Sequence, residues 1–155
     1  MEKSNHSRRE TAAKIVIDAY AWIEFFIGSE KGRRVKELLE NADEIFTPGT
    51  VLAEIARKYV REGADQKTVE ARLQAVSSVS NIAHLDVKAS LEAAKCYSEL
   101  TATARKSRLN APSLFDAIVL GIGRSLGSKI VTGDEHFKNL PETIWIDAHA
   151  RVLER

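Results

Sequence analysis

The chain has 155 residues, 44% hydrophobic and 29% charged, and its 23 basic and 22 acidic side chains leave a formal net charge of +1. One compact domain burying roughly two thirds of its unfolded surface fits that length, and the balanced charge excludes the global basic field of many nucleic-acid binders. The single cysteine, Cys96, excludes a disulfide framework and a multi-cysteine zinc site, and no apolar run approaches the roughly 20 residues of a membrane helix.

Residues 1–13 read as a polar tail carrying Arg8 and Arg9, with no apolar core to make a secretory signal, so a cytoplasmic location is expected. Residues 14–155 then form a single domain. Lys14-Ile-Val-Ile17 is a short β-branched strand feeding a helix through Trp22, Ile23 and Phe26. Val35, Leu38 and Leu39 fit one face of the next helix, and Glu44-Ile-Phe46 is a strand stopped by Thr47-Pro48-Gly49. Thr47 or Thr50 is placed to cap the following helix, which runs from about Val51 to Arg61 and ends near Gly63. A further helix carries Val69, Leu73 and Val76, so two helices in succession suggest an insertion. Ile82-Ala-His-Leu85 is a third strand, and Asp86 is the expected N-cap of a helix with Ala93, Tyr97, Leu100 and Ala104 on one face and Cys96 buried. After Asn110-Ala-Pro-Ser-Leu, Phe115–Leu126 is apolar nearly all round, as in a helix packed deep against a sheet. Lys129-Ile-Val-Thr132 and Thr143-Ile-Trp-Ile146 complete about five strands, and Trp22 and Trp145 are expected in the core. Strands alternating with helices predict an α/β fold, a central parallel sheet with helices on both faces.

In such sheets functional groups collect beyond the carboxyl ends of the strands. Asp18 directly follows the first strand, and Asp134 follows Lys129–Thr132 across a single glycine. Glu54 lies one turn into the helix after the second strand, and Asp116 begins the buried helix after the Pro112 break. A set of four carboxylates at one edge suits a hard divalent cation such as Mg²⁺ or Mn²⁺, which neutralises phosphate charge and makes water acidic enough to attack a phosphodiester. Each acid also has a structural reading. Asp116 can cap its helix with Ser113, Glu54 can pair along its helix with Arg57, Lys58 and Arg61, and Asp134 can be a turn residue beside Gly133. Asp18, directly after an apolar strand, is read as having no cap to form.

The segments Ile15-Val-Ile-Asp18-Ala-Tyr-Ala-Trp-Ile-Glu24-Phe-Phe, Thr47-Pro-Gly-Thr-Val-Leu-Ala-Glu54-Ile, Asp116-Ala-Ile-Val-Leu-Gly-Ile-Gly and Lys129-Ile-Val-Thr132-Gly-Asp134-Glu-His-Phe137 resemble the successive motifs of a PIN domain. The resemblance is to the stand-alone prokaryotic type that includes the VapC toxins of toxin–antitoxin pairs. It implies a Mg²⁺- or Mn²⁺-dependent endoribonuclease. By motif match, Asp18, Glu54, Asp116 and Asp134 take the acidic metal-ligand places, and Thr132 takes the hydroxyl position before the last acid. It also implies an RNA substrate, a small antitoxin partner and a homodimer, for which the Val69–Leu73–Val76 stripe offers an apolar face. A stand-alone RNA-processing nuclease, or a silent scaffold binding RNA or a protein, is the alternative; loss of an acid would favour the scaffold, and all four are present.

Other features have plainer readings. Gly121-Ile-Gly123-Arg-Ser-Leu-Gly127 imitates a dinucleotide fingerprint but falls inside a helix, where it reads as close helix packing. A signalling receiver would place an acidic pair after the first strand, whereas Ala19 follows Asp18. His6, His84, His136 and His149 lack metal-ligand spacing, and His136 is read as a surface residue, with RNA contact as the alternative. Glu135 and Asp147 are read as bystanders. Basic clusters at Arg33, Arg34 and Lys36, at Arg57, Lys58 and Arg61, and at Arg105, Lys106 and Arg108 are either solvated helix faces or a cradle for RNA phosphates.

Overall fold

A computed structural model describes residues 13–147, so the N-terminal tail with Arg8 and Arg9, together with His6 and His149, lies outside the described residues. Five strands alternate with six α-helices: β1 (Lys14–Ile17), α1 (Ala19–Ile27), α2 (Glu30–Asn41), β2 (Glu44–Pro48), α3 (Gly49–Arg61), α4 (Gln66–Val79), β3 (Asn81–Ala83), α5 (Val87–Lys106), α6 (Leu114–Leu126), β4 (Lys129–Thr132) and β5 (Thr143–Trp145). A short 3₁₀ turn, Glu135–Phe137, follows β4. Among the described residues no helix is long and apolar enough to cross a membrane.

All strands run parallel in the order β3-β2-β1-β4-β5. The chain steps outward from β1 to β2 to β3, and then α5 and α6 carry it back across the sheet to β4 on the other side of β1. Right-handed crossovers in these two directions put α1–α4 on one face and α5–α6 on the other. The order therefore reverses between β1 and β4, and the strand ends there border a crevice. Because β2 and β3 are neighbours, α3 and α4 together form the crossover between them and are not an insertion.

The α4 stripe is spent inside the chain. Val69 and Val76 are buried and Leu73 packs on the core, so this face is not available to a second copy. The α5 face also differs in phase from the sequence reading. Ala89, Ala93, Cys96, Leu100 and Ala104 are buried, and Tyr97 points outward, 41% exposed. Ala89 and Ala93 lie where α5 meets α6 at Gly121, a contact too close for a large ring. Trp22 is fully buried, but Trp145 is only half-buried, with the Lys138 ammonium 5.7 Å from its ring centre.

Neither Thr47 nor Thr50 caps α3. β2 continues through Pro48, which occupies the N-cap position without a side-chain bond. Thr47 instead points inward, where its hydroxyl oxygen accepts the Trp22 indole N–H at 3.1 Å. The Thr47 hydroxyl donates to Ser80 Oγ at 2.8 Å, and Ser80 donates to the Val76 carbonyl at 2.8 Å. This directed chain satisfies the buried indole and ties α1, β2 and the end of α4 together. Thr50 Oγ1 is buried with no hydrogen-bond partner.

Gly121 is a packing glycine, as its place inside a helix suggests. A Cβ there would stand 2.6 Å from Ala93 N and 2.8 Å from Ala93 Cα. In an exposed helix, glycine to alanine gains up to about 1 kcal/mol. Here the clash with backbone reverses the sign, and Gly121→Ala should lose about 1–3 kcal/mol in urea unfolding. A stability equal to or above wild type would contradict this contact.

Candidate active site

The switch point brings two strand ends together. Asp18 follows β1 and, contrary to the sequence expectation, is the N-cap of α1. Its Oδ1 accepts the Ala21 N–H at 2.9 Å. Strand and helix join with no intervening loop, so the residue that ends one begins the other. Asp18 Oδ2 accepts the hydroxyl of Thr132, the last residue of β4. Thr132 Oγ1 in turn accepts the Asp134 N–H at 3.0 Å. One buried hydroxyl thus binds the side chain of one acid and the backbone of another.

Asp116 and Ser113 form a reciprocal capping box at the start of α6: Asp116 Oδ2 accepts the Ser113 N–H at 2.9 Å, and Ser113 Oγ accepts the Asp116 N–H at 3.1 Å. Asp134 Oδ1 accepts the His136 N–H at 2.9 Å and thereby caps the 3₁₀ turn. The structural readings of these two acids are therefore fulfilled, and each acid keeps a second carboxylate oxygen not used by these bonds. Glu54 makes no ion pair along α3, so the structural reading of this acid is not fulfilled. Lys58 pairs with Glu62 at 2.7 Å instead.

His136 is not the surface residue that the sequence suggests. It is half-buried, with Nδ1 2.8 Å from Asp134 Oδ1 and Nε2 2.7 Å from the Asn110 carbonyl oxygen. Both partners only accept, so this geometry suits a ring protonated on both nitrogens. Atoms of Asp116, Asp134 and His136 lie within 4.8 Å of one another, a spacing that could hold a metal ion. Asp18 and Glu54 stand outside that tight group but share its field.

The electrostatics follow from this crowding. Burial pushes the Asp18 carboxyl up to about 7, against the Thr132 and Ala21 hydrogen bonds, and the charges of Asp134 and Glu54 push in the same direction. Glu54 is raised by burial and by Asp116, with Arg57 opposing. Asp116 is raised by burial, opposed by the Ser113 bonds and reinforced by Asp134. Burial alone would lower His136, but the Asn110 carbonyl and the Asp134 carboxylate outweigh it and hold the ring above its ordinary value. Among the described residues no lysine or arginine forms an ion pair with any of the four acids; the pairing of His136 with Asp134 is the one cationic contact.

Around this edge, Ala19, Ile23, Glu54, Arg57, Lys58, Arg61 and Glu62 line a groove of about 490 Å³. The middle basic cluster therefore adjoins an acid. The Tyr20 ring packs against Gly133, where a Cβ would come within 2.2 Å of it. Lys31 donates to the Tyr20 hydroxyl at 2.8 Å and pairs with Asp147 at 2.9 Å. Asp147 thus supports the Thr132–Asp134 loop through a tyrosine, while Glu135 is exposed.

A model of the PIN domain matches residues 15–143, which include the four acids, Thr132 and His136. The chain belongs to the PIN-domain family. Its fold is shared with solved structures at low sequence identity. DNA-bound VapBC from Salmonella typhimurium is 21% identical with a TM-score of 0.64, covering 86% of this chain and 98% of that one. VapBC2 of Rickettsia felis, bound to a promoter DNA fragment, is 18% identical with a TM-score of 0.61, covering 85% and 96%. VapC20 of Mycobacterium tuberculosis, a sarcin-ricin loop cleaving toxin, is 17% identical with a TM-score of 0.55, covering 74% and 85%. A comparison with curated protein sequences gives no match.

Asp18 makes the pH dependence of this PIN domain testable. Its folded-state value of about 7 exceeds the ordinary 3.8, so ionising it costs stability that is untouched below pH 3.8 and fully lost above about 7. A rise of that size corresponds to roughly 4 kcal/mol. Asp18→Asn retains a cap acceptor and should remove this decline. Urea unfolding in chelator from pH 4 to 8 checks it, and parallel pH slopes for the two proteins would show that ionised Asp18 carries no such strain.

Proposed function

We propose that this PIN domain is a metal-dependent endoribonuclease that hydrolyses RNA phosphodiester bonds, and that it acts as the toxin of a toxin–antitoxin pair. The observation that carries the reading is the set of four acids at the β1/β4 switch point, Asp18 buried and the others half-buried, three of them raised in pKa, with no lysine or arginine among the described residues in an ion pair with any of them. At an effective dielectric near 20, two unit charges about 5 Å apart repel by roughly 3 kcal/mol. A fold that keeps such a set is one that gains an external cation.

The donor set fits a hard divalent ion. Its atoms are carboxylate oxygens, the ligands Mg²⁺ and Mn²⁺ prefer, and the caps leave Asp116 Oδ1 and Asp134 Oδ2 free of the bonds described above. Asp18, Glu54, Asp116 and Asp134 would hold the ion, which when bound supplies neutralisation of phosphate charge and acidification of water. The chain's own groups do the positioning. Thr132 fixes the Asp18 carboxylate and the Asp134 backbone together. Arg57, Lys58 and Arg61 line the groove beside Glu54 and would take flanking phosphates of a single-stranded RNA.

The antitoxin and the homodimer are carried by likeness to the VapC group. Burial of the Val69–Val76 stripe within the domain removes the surface first considered for the dimer.

Asp116→Asn tests the reaction with the least damage to the fold, since its amide oxygen can still accept the Ser113 N–H. Mn²⁺-dependent cleavage of single-stranded RNA should fall by at least about 100-fold, while the melting temperature in chelator stays level or rises. Activity near wild type in the folded variant would remove Asp116 from the site. Calorimetric titration with Mn²⁺ should give binding heat in the wild type and none in a variant with all four acids changed to alanine. Equal heats from both would sink the metal site.

A further inference from the structure

We infer that His136 is a positioning residue, which fixes the Asp134 carboxylate against the α5–α6 loop so that the second oxygen of Asp134 is presented to the acidic edge. This rests on the nuclease reading of that edge.

Asp134 hangs from a short segment between β4 and the 3₁₀ turn, and its carboxylate would otherwise rotate about the side-chain torsion. Two donors from one residue prevent this. The His136 backbone N–H at 2.9 Å and Nδ1 at 2.8 Å both reach Asp134 Oδ1, so that oxygen is committed. Oδ2 is then held in a single direction. The imidazole is anchored on its far side by Nε2 at 2.7 Å from the Asn110 carbonyl, 26 residues away in the chain. Asn110 lies in the segment that leads to Ser113 and Asp116. The ring therefore spans the two loops that deliver two of the acids.

The same contacts distinguish this role from direct ligation. His136 atoms lie within 4.8 Å of Asp116 and Asp134, which would also suit a metal ligand. Yet both ring nitrogens are already directed at oxygens of the chain, and an imidazole must free a nitrogen to ligate.

Three substitutions in the full-length chain separate the possibilities. In His136→Asn the amide nitrogen replaces Nδ1 and keeps the bond to Asp134. In His136→Gln it replaces Nε2 and keeps only the Asn110 side, and His136→Phe keeps the ring volume alone. Calorimetric titration with Mn²⁺ should give affinities within about threefold of wild type for His136→Asn, and at least about tenfold weaker for His136→Gln and His136→Phe. The kcat for single-stranded RNA should follow the same order at constant KM. In metal-free protein, hydrogen exchange of the residue 136 amide, whose acceptor is Asp134 Oδ1, should quicken in the Gln and Phe variants only. Wild-type Mn²⁺ affinity in His136→Phe would overturn the proposal in favour of plain packing. Equal loss in all three variants at unchanged melting temperature would overturn it in favour of direct ligation. Absence of Mn²⁺ binding by the wild type would overturn the nuclease reading itself, and the exchange measurement would still decide whether His136 restrains Asp134.

Discussion

The hydroxyl of Thr132 sits where β1 and β4 end side by side, and the arrangement of the acidic edge depends on it. It donates to Asp18 and accepts from the Asp134 backbone, so two segments separated by more than a hundred residues share one buried atom. That contact exists because the strand order reverses between β1 and β4. At any other pair of neighbouring strands the two carboxyl ends would be followed by crossovers leaving in one direction, and the crevice would be covered.

Three of the four acids at this edge bind backbone N–H groups as well as lining the candidate site. Asp18 caps α1, Asp116 closes the capping box of α6, and Asp134 caps the 3₁₀ turn. Structural and chemical readings of these residues are therefore not alternatives. The cap holds one oxygen at a defined place, and an oxygen so held leaves its partner aimed rather than free to turn. Burial raises the carboxyls of Asp18 and Asp116, and their cap hydrogen bonds pull the other way.

The strands, the helices and the positions of the four acids near strand ends are legible in the sequence because apolar periodicity and position after a strand are local signals. The order of the strands is not, since parallel neighbours are set by crossovers whose direction no local pattern records. On α5, periodicity alone does not separate Tyr97 from its neighbour Cys96, which is the residue the helix buries. Thr47 looked like a cap beside Pro48 and Gly49, and what overrode that was the buried indole of Trp22, a partner 25 residues away. His136 reads as a surface residue for a similar reason. Two residues from Asp134 it fits no metal-binding spacing, and its second partner is a backbone carbonyl that leaves no trace in composition.

The Tyr20 ring over Gly133 carries a consequence for how this sequence can drift. The residue after the first acid's neighbour and the residue before the last acid occupy one volume, so neither can enlarge while the other stays. Among related chains, side-chain size at positions 20 and 133 should vary in opposition: a bulkier residue at 133 is admissible only where 20 has shrunk, and Lys31 would then lose the hydroxyl it holds. Inherited changes at the two positions would arrive as a pair, although 112 residues of sequence lie between them.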